Sequence, residues 1–394
     1  MAFTLRPATG EHFAGRRVLM AEMLEELSDP ASDTGFALVG QRRIGKTSIL
    51  LEAARRLGEG QDGVVPVYFS VWSLLENDLE ACAGALSAAV LEAYRPITGL
   101  ALRARSLAQL PAAALRSALA HTTVTLSCHD IALIFSPRQG GDGIERFEKA
   151  LGLAEGLALA TGTKCVLFID EFPALMDLTN NRTRCGAAIL RTIRTLHERW
   201  SHTVLCIAGS VRSTMEMAAL SPASPLCRQF IVREVGPLSR NEAATLLSGA
   251  MAVTDAEIDD IYRFSGGIPF YIQFLGRMIS RGPPAPGDRI AAAAAAFLRE
   301  EGNLLFRGEF DALSPKERLI AAGLARGHAT PAALSRACGD RVAGIGRVLA
   351  SLQEKGVAER LQRGVYRCAD PVFARWICDR TGGEHFHPAP GDMP

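Results

Sequence analysis

The chain has 394 residues, 48% of them apolar, with 43 Lys/Arg against 42 Asp/Glu, for a net charge of +1. That length allows two or three domains with an ample core, and nothing in the whole-chain balance calls for a polyanionic partner. The nine cysteines stand singly without a C-x-x-C pair, and Cys128-His129 has no second half; this excludes a disulfide framework and offers no four-ligand zinc site.

Met1 to Arg6 carries no apolar signal-type segment, and the most apolar stretch, 290–298, is too short to cross a bilayer. A cytoplasmic protein without membrane contact is therefore expected. Over 12–237, β-like runs at 35–40, 64–71, 165–169, 203–208 and 229–235 alternate with helical patterns at 46–58, 76–94, 143–161, 184–200 and 211–219. This alternation predicts an α/β fold, a parallel sheet with helices on both faces. Runs as continuously apolar as Val166-Leu167-Phe168-Ile169 fit strands buried on both sides. Residues 96–142, alanine-rich and ending in a glycine-rich turn, break the alternation and are read as an insertion.

From 238 to 306 the pattern is purely helical. Ser239 and Glu242 have capping-box spacing, and Gly266-Gly267-Ile268-Pro269 stops one helix and starts the next. A small α-helical lid is expected there. Residues 307–380 offer three short helical patterns and then two β-like runs, 357–361 and 365–368, around Gln362-Arg363-Gly364. Three helices and a hairpin wing are the order of a winged-helix domain, and a last helix, 371–379, follows. The Gly-, Pro- and His-rich tail, 381–394, is expected to be disordered.

Two motifs carry chemistry. Gly40-Gln41-Arg42-Arg43-Ile44-Gly45-Lys46-Thr47-Ser48 follows one predicted strand and opens a helix. A loop of this kind points successive backbone N–H groups at phosphates, with the positive end of the helix behind them. Lys46 would reach the β- and γ-phosphates and Thr47 would be a Mg²⁺ ligand. In Val166 to Glu171, four apolar residues bury a strand and project Asp170 from its C-terminal end, as a second Mg²⁺ ligand. Glu171 is placed as general base for the attacking water. These residues imply binding of ATP with Mg²⁺, and hydrolysis. The next strand ends in Gly209-Ser210-Val211-Arg212, where Ser210 and Arg212 are either γ-phosphate sensors or plain loop residues.

His12-Phe13-Ala14-Gly15-Arg16-Arg17, the phosphate loop, Phe168 to Phe172, Gly209-Ser210 and Gly266 to Pro269 occur in the order seen in archaeal-type ATPases, of the STAND-related branch of the AAA+ superfamily. Ser224-Pro225-Leu226-Cys227-Arg228 and Asp370-Pro371-Val372-Phe373-Ala374-Arg375-Trp376 also resemble motifs of that family. The resemblance spans almost the whole chain. It implies that Phe13, Gly15 and Arg16 line the adenine and ribose side, and that Pro269 packs on the base from the lid. It also implies that Arg228 is either an arginine finger acting on a neighbouring copy or a surface arginine; Cys227 stands where the family usually has Tyr or Gly. Many members continue into a nuclease-like domain, of which this sequence has no sign, so nuclease activity is not expected.

The slight charge asymmetry falls on the winged-helix segment. Residues 311–380 hold twelve Lys/Arg against seven Asp/Glu, a local +5 that leaves −4 for the rest. Arg341, Arg347 and Lys355 on the predicted recognition helix, with Arg360, Arg363 and Arg367 near the wing, offer phosphate contacts but no bidentate base reader. Two readings follow. One is a nucleotide-dependent switch whose ATP/ADP state moves the winged helix and governs homo-oligomer assembly; the other is an ATPase that grips double-stranded DNA through 340–367. A third, a scaffold using nucleotide only structurally, sits badly with an intact Glu171.

Overall fold

The computed structural model describes residues 2–60, 63–98, 143–210, 215–281, 289–339 and 342–382. Most of 96–142, together with Arg212, Arg341 and nearly all of the 381–394 tail, lies outside them. Five parallel strands form one sheet: β1 (Gly35–Val39), β2 (Val64–Ser70), β3 (Lys164–Asp170), β6 (Thr203–Gly209) and β7 (Phe230–Glu234), in the order β2-β3-β6-β1-β7. A short hairpin, β4 (Thr179–Asn180) and β5 (Thr183–Arg184), follows β3. Its tip, Asn181 and Arg182, has φ of 51° and 65°, and nothing in the sequence signalled it. Gly35 is obligatory for the sheet, because a Cβ there would lie 1.8 Å from the Leu205 carbonyl oxygen.

Helices cover both faces. Along β1, Phe36 and Leu38 point to one core while Ala37 and Val39 point to the other; Val166 and Phe168 of β3 repeat the alternation against Leu167 and Ile169. The second core is completed by α3 (Leu79–Thr98), α4 (Gly143–Thr161) and α5 (Gly186–His197). The first rests on α1 (Arg17–Ser28) and α2 (Lys46–Gly60), then continues without a break into the C-terminal helices. At about 25 cal/mol per Å² of apolar surface buried, such two-sided burial dominates the stability of the sheet.

Beyond the sheet come α6 (Arg240–Ser248), α7 (Asp255–Ser265), α8 (Pro269–Arg281) and α9 (Arg289–Asp311). The capping box of Ser239 with Glu242 is formed, and Thr254 with Glu257 makes a second. Helix α9 runs straight through residues 306 and 307, where the sequence placed a boundary. Then follow α10 (Pro315–Ala325), α11 (Pro331–Cys338), α12 (Val342–Glu354), the antiparallel pair β8 (Ala358–Gln362) and β9 (Val365–Cys368), and α13 (Pro371–Thr381). Helix α13 folds back on α9: Phe373 lies 5.1 Å from Phe306 and Trp376 5.7 Å from Phe310, between ring centroids, and the Trp376 indole N–H donates to Asn303 Oδ1 at 3.1 Å. No helix of the described residues is long and apolar enough to cross a membrane.

Candidate functional site

The site forms where β1, β3 and β6 end, because parallel strands leave their C-terminal tips side by side. Gly40 follows β1, Arg43 takes a left-handed φ of 67° and Gly45 one of 95°, and α2 begins at Lys46. Ile44 is buried and anchors the loop from below. The Lys46 ammonium donates to the carbonyls of Gly40 and Gln41, each at 2.9 Å. Burial pulls its pKa down to about 8, against the opposing pull of Glu171 and Asp170.

Asp170 is buried, and its Oδ2 accepts from Thr47 Oγ1 at 2.7 Å and from the Tyr68 hydroxyl at 2.9 Å. Its Oδ1 accepts from the Glu171 N–H at 3.0 Å. Glu171 has φ of 51°, so its side chain turns back toward the site rather than continuing the strand alternation. Ser210 Oγ donates to Glu171 Oε2 at 3.3 Å. Burial, and next the charge of Asp170, raise the Glu171 pKa, which makes it a stronger base. A hydroxyl and a carboxylate 2.7 Å apart are hard oxygen donors, the ligand type that Mg²⁺ takes. Thr47 and Asp170 therefore fit the ion expected there.

A cavity of about 490 Å³ opens in front of this group. It is lined by Arg42, Arg43, Gly45, Lys46, Thr47, Ser48 and Glu171, by Pro269, Phe270 and Gln273 of α8, and by Trp72 and Glu309. Residues 4–8 line it as well, as a strap. That strap is fixed at both ends. Thr4 N–H donates to Gln273 Oε1 at 3.1 Å, Ala8 N–H to Ser48 Oγ at 3.0 Å, and Gly10 N–H to the buried Glu52 at 2.7 Å.

The predicted site residues divide into those that meet and those that do not. Gly40 to Ser48, Asp170, Glu171, Ser210 and Pro269 converge. Phe13, Gly15 and Arg16 are not among the residues that line the cavity. Arg16 donates instead to the carbonyls of Gly236, Pro237 and Ile44, and its N–H bonds Glu242, so it fastens the connection between β7 and α6 to the core. The Phe13 ring lies under the Arg56 guanidinium, 5.9 Å away. Arg228, exposed with φ of 62° in the turn before β7, does not line the cavity of its own chain. Sequence reasoning missed Tyr68 and the 4–8 strap. The first had a faint signal, a hydroxyl-bearing residue inside an apolar strand; the strap had none.

Among the basic residues expected to face DNA, Lys355 Nζ binds both oxygens of Glu317, at 2.7 and 2.8 Å, and Arg367 pairs with Glu359 across the β8–β9 hairpin. Arg347, Arg360 and Arg363 are exposed.

No family model and no curated protein matches the sequence. Among solved structures, the chain is similar to a Walker-type ATPase of Pyrococcus abyssi, at 18% identity over 96% of this chain and 99% of that one, with a TM-score of 0.70. It is also similar to the ORC2 protein of Aeropyrum pernix in ADPNP–ADP complexes, at 15% identity over 93% of each chain and a TM-score of 0.55. The ADP form of that protein gives 14% identity, coverage of 96% and 95%, and a TM-score of 0.53. At these identities the likeness is one of fold.

Proposed function

Since the chain has the fold of archaeal-type AAA+ P-loop ATPases, we propose that it is a Mg²⁺- and ATP-dependent ATPase whose nucleotide state moves a C-terminal winged helix. The observation that carries this reading is that Lys46, Thr47 and Glu171 line one cavity together with the 4–8 strap and α8, while Asp170 is hydrogen-bonded to Thr47 and Ser210 to Glu171. In this reading the backbone of 40–47 cradles the phosphates, and Lys46 exchanges its two carbonyl partners for phosphate oxygens. Mg²⁺ held by Thr47 and Asp170 would neutralise charge on the phosphates. Glu171 Oε2, oriented by Ser210, takes the proton of the attacking water. Helices α6 to α9 act as the lid, closing through Pro269, and α10 to α13 with the β8–β9 hairpin as the winged helix. In this reading Arg228, exposed and off its own cavity, serves a neighbouring copy in a nucleotide-dependent homo-oligomer.

Two substitutions test the core of this reading. Lys46→Ala should abolish nucleotide binding in a direct binding assay, and unchanged binding would refute the assignment. Glu171→Gln should still bind ATP but turn over roughly 10²- to 10⁴-fold more slowly, the usual weight of a general base.

A second reading, grip on duplex DNA, is favoured by exposed Arg347, Arg360 and Arg363. Polarisation with labelled duplex should show binding that Arg347→Ala with Arg363→Ala removes and that weakens steeply with salt. Binding that survives both changes would sink it.

A further inference from the structure

Arg43 belongs to the phosphate loop, yet its side chain leaves the loop for the C-terminal half of the molecule. Its guanidinium is 3.7 Å from Asp370 Oδ2 and 3.7 Å from Glu309 Oε1, and it donates to the Tyr271 hydroxyl at 3.4 Å. It stacks over Phe306 at 5.3 Å and Phe270 at 5.9 Å, with only 18% of the side chain exposed. The fully buried Tyr271 in turn donates to Asp370 Oδ2. Three elements, α8, α9 and α13, thus meet on one loop arginine.

Asp370 divides its two oxygens between two tasks. Oδ1 caps α13 by accepting from the N–H groups of Val372 and Phe373, at 2.9 and 3.1 Å. Oδ2 faces Tyr271 and Arg43. The aromatic packing of Phe373 and Trp376 on α9 makes α13 a body that moves with Asp370. The adjacent Arg42 also pairs with Glu309, at 3.3 Å, so the loop holds α9 twice.

We propose that Asp370 is a positioning residue that reads the state of the phosphate loop through Arg43 and passes it to α13. This rests on the switch reading above and supplies its linkage. The backbone of Arg43 lies among the groups that would cradle phosphate, so a bound triphosphate orders Arg43 and its left-handed conformation. The guanidinium then offers Asp370, Tyr271 and Glu309 a fixed partner, and α13 is held more tightly. The Asp370-Pro371 pair, whose role the sequence left open, acquires one as cap and sensor together.

The test is hydrogen–deuterium exchange on the full chain, with and without Mg²⁺ and a non-hydrolysable ATP analogue. In the wild type, exchange of the amides of α13 should slow by about fivefold or more on binding, the lower end of ordinary coupling between sites. Asp370→Asn keeps the cap and removes the charge, and Asp370→Ser keeps a capping oxygen and removes Oδ2. In both variants the analogue should bind within about threefold of wild-type affinity, a change of under 1 kcal/mol, while the slowing in α13 is lost. A merely structural Asp370 would instead quicken exchange equally with and without the analogue and leave the slowing intact; that result overturns the proposal. If the wild type binds the analogue but α13 does not respond, the switch reading fails, and this linkage with it.

Discussion

At the scale of single residues, the site is decided by who shares the Asp170 carboxylate. Thr47 and Tyr68 both donate to Oδ2, which fixes the orientation of the carboxylate. Outer partners of this type usually cost 10- to 100-fold in metal affinity when removed. Tyr68→Phe should therefore raise the Mg²⁺ concentration for half-maximal ATPase activity by about tenfold and leave the fold intact; a Mg²⁺ titration at saturating ATP checks it. Lys46, Thr47, Asp170 and Glu171 were legible as site candidates because loop and strand tip each carry their polar residues consecutively. Tyr68 was not, because its hydroxyl reaches Asp170 only across the β2–β3 pairing, 102 positions away in sequence.

At the scale of elements, the one cap read from the sequence, Ser239 with Glu242, is joined by two of the same local kind. Ser239, Thr254 and Ser314 each cap a helix with Glu three residues on. Glu317 does more than cap. Its bonds to Lys355, with those to Ser351 and Ser314, hold its pKa down at about 2 against an ordinary 4.5. A depressed carboxylate stabilises the fold above its unfolded pKa and loses that contribution as pH falls toward the folded one. Helices α10 and α12 should thus loosen between pH 4.5 and about 2, and Glu317→Gln should flatten that dependence in an acid-melting series followed by circular dichroism. Gly267 is constrained both by its own backbone and by a neighbouring segment. With φ of 75° and a Cβ that would lie 2.4 Å from the Leu238 carbonyl oxygen, it tolerates no side chain. Gly267→Ala should cost about 1–3 kcal/mol, the usual range for a strained backbone position, seen as a lower Tm.

At the scale of the whole molecule, one apolar core runs from the sheet through α8 and α9 to α13, so the phosphate loop and the C-terminal helices share a single packed body. Packed cores are poorly compressible and rearrange between discrete arrangements rather than deforming smoothly. That is why a change at Gly40 to Thr47 has a physical route to α13. The 4–8 strap is the other long-range feature. Removing residues 2–9 should raise the KM for ATP roughly tenfold, a loss of about 1.4 kcal/mol of contact, with kcat little changed; steady-state kinetics on the truncated chain decides it.

The sequence by itself determined the α/β alternation, the loop at Gly40 to Thr47, the Asp170-Glu171 strand tip and the Ser239 cap, since each is written in residues no more than a few positions apart. Only the tertiary structure decided which residues line the cavity, that Arg16 bonds the β7–α6 connection, and that Lys355 is engaged by Glu317. It alone brought Arg43 and Asp370 together. Such pairings are set by how one continuous core folds back on itself, and no local period or spacing encodes them.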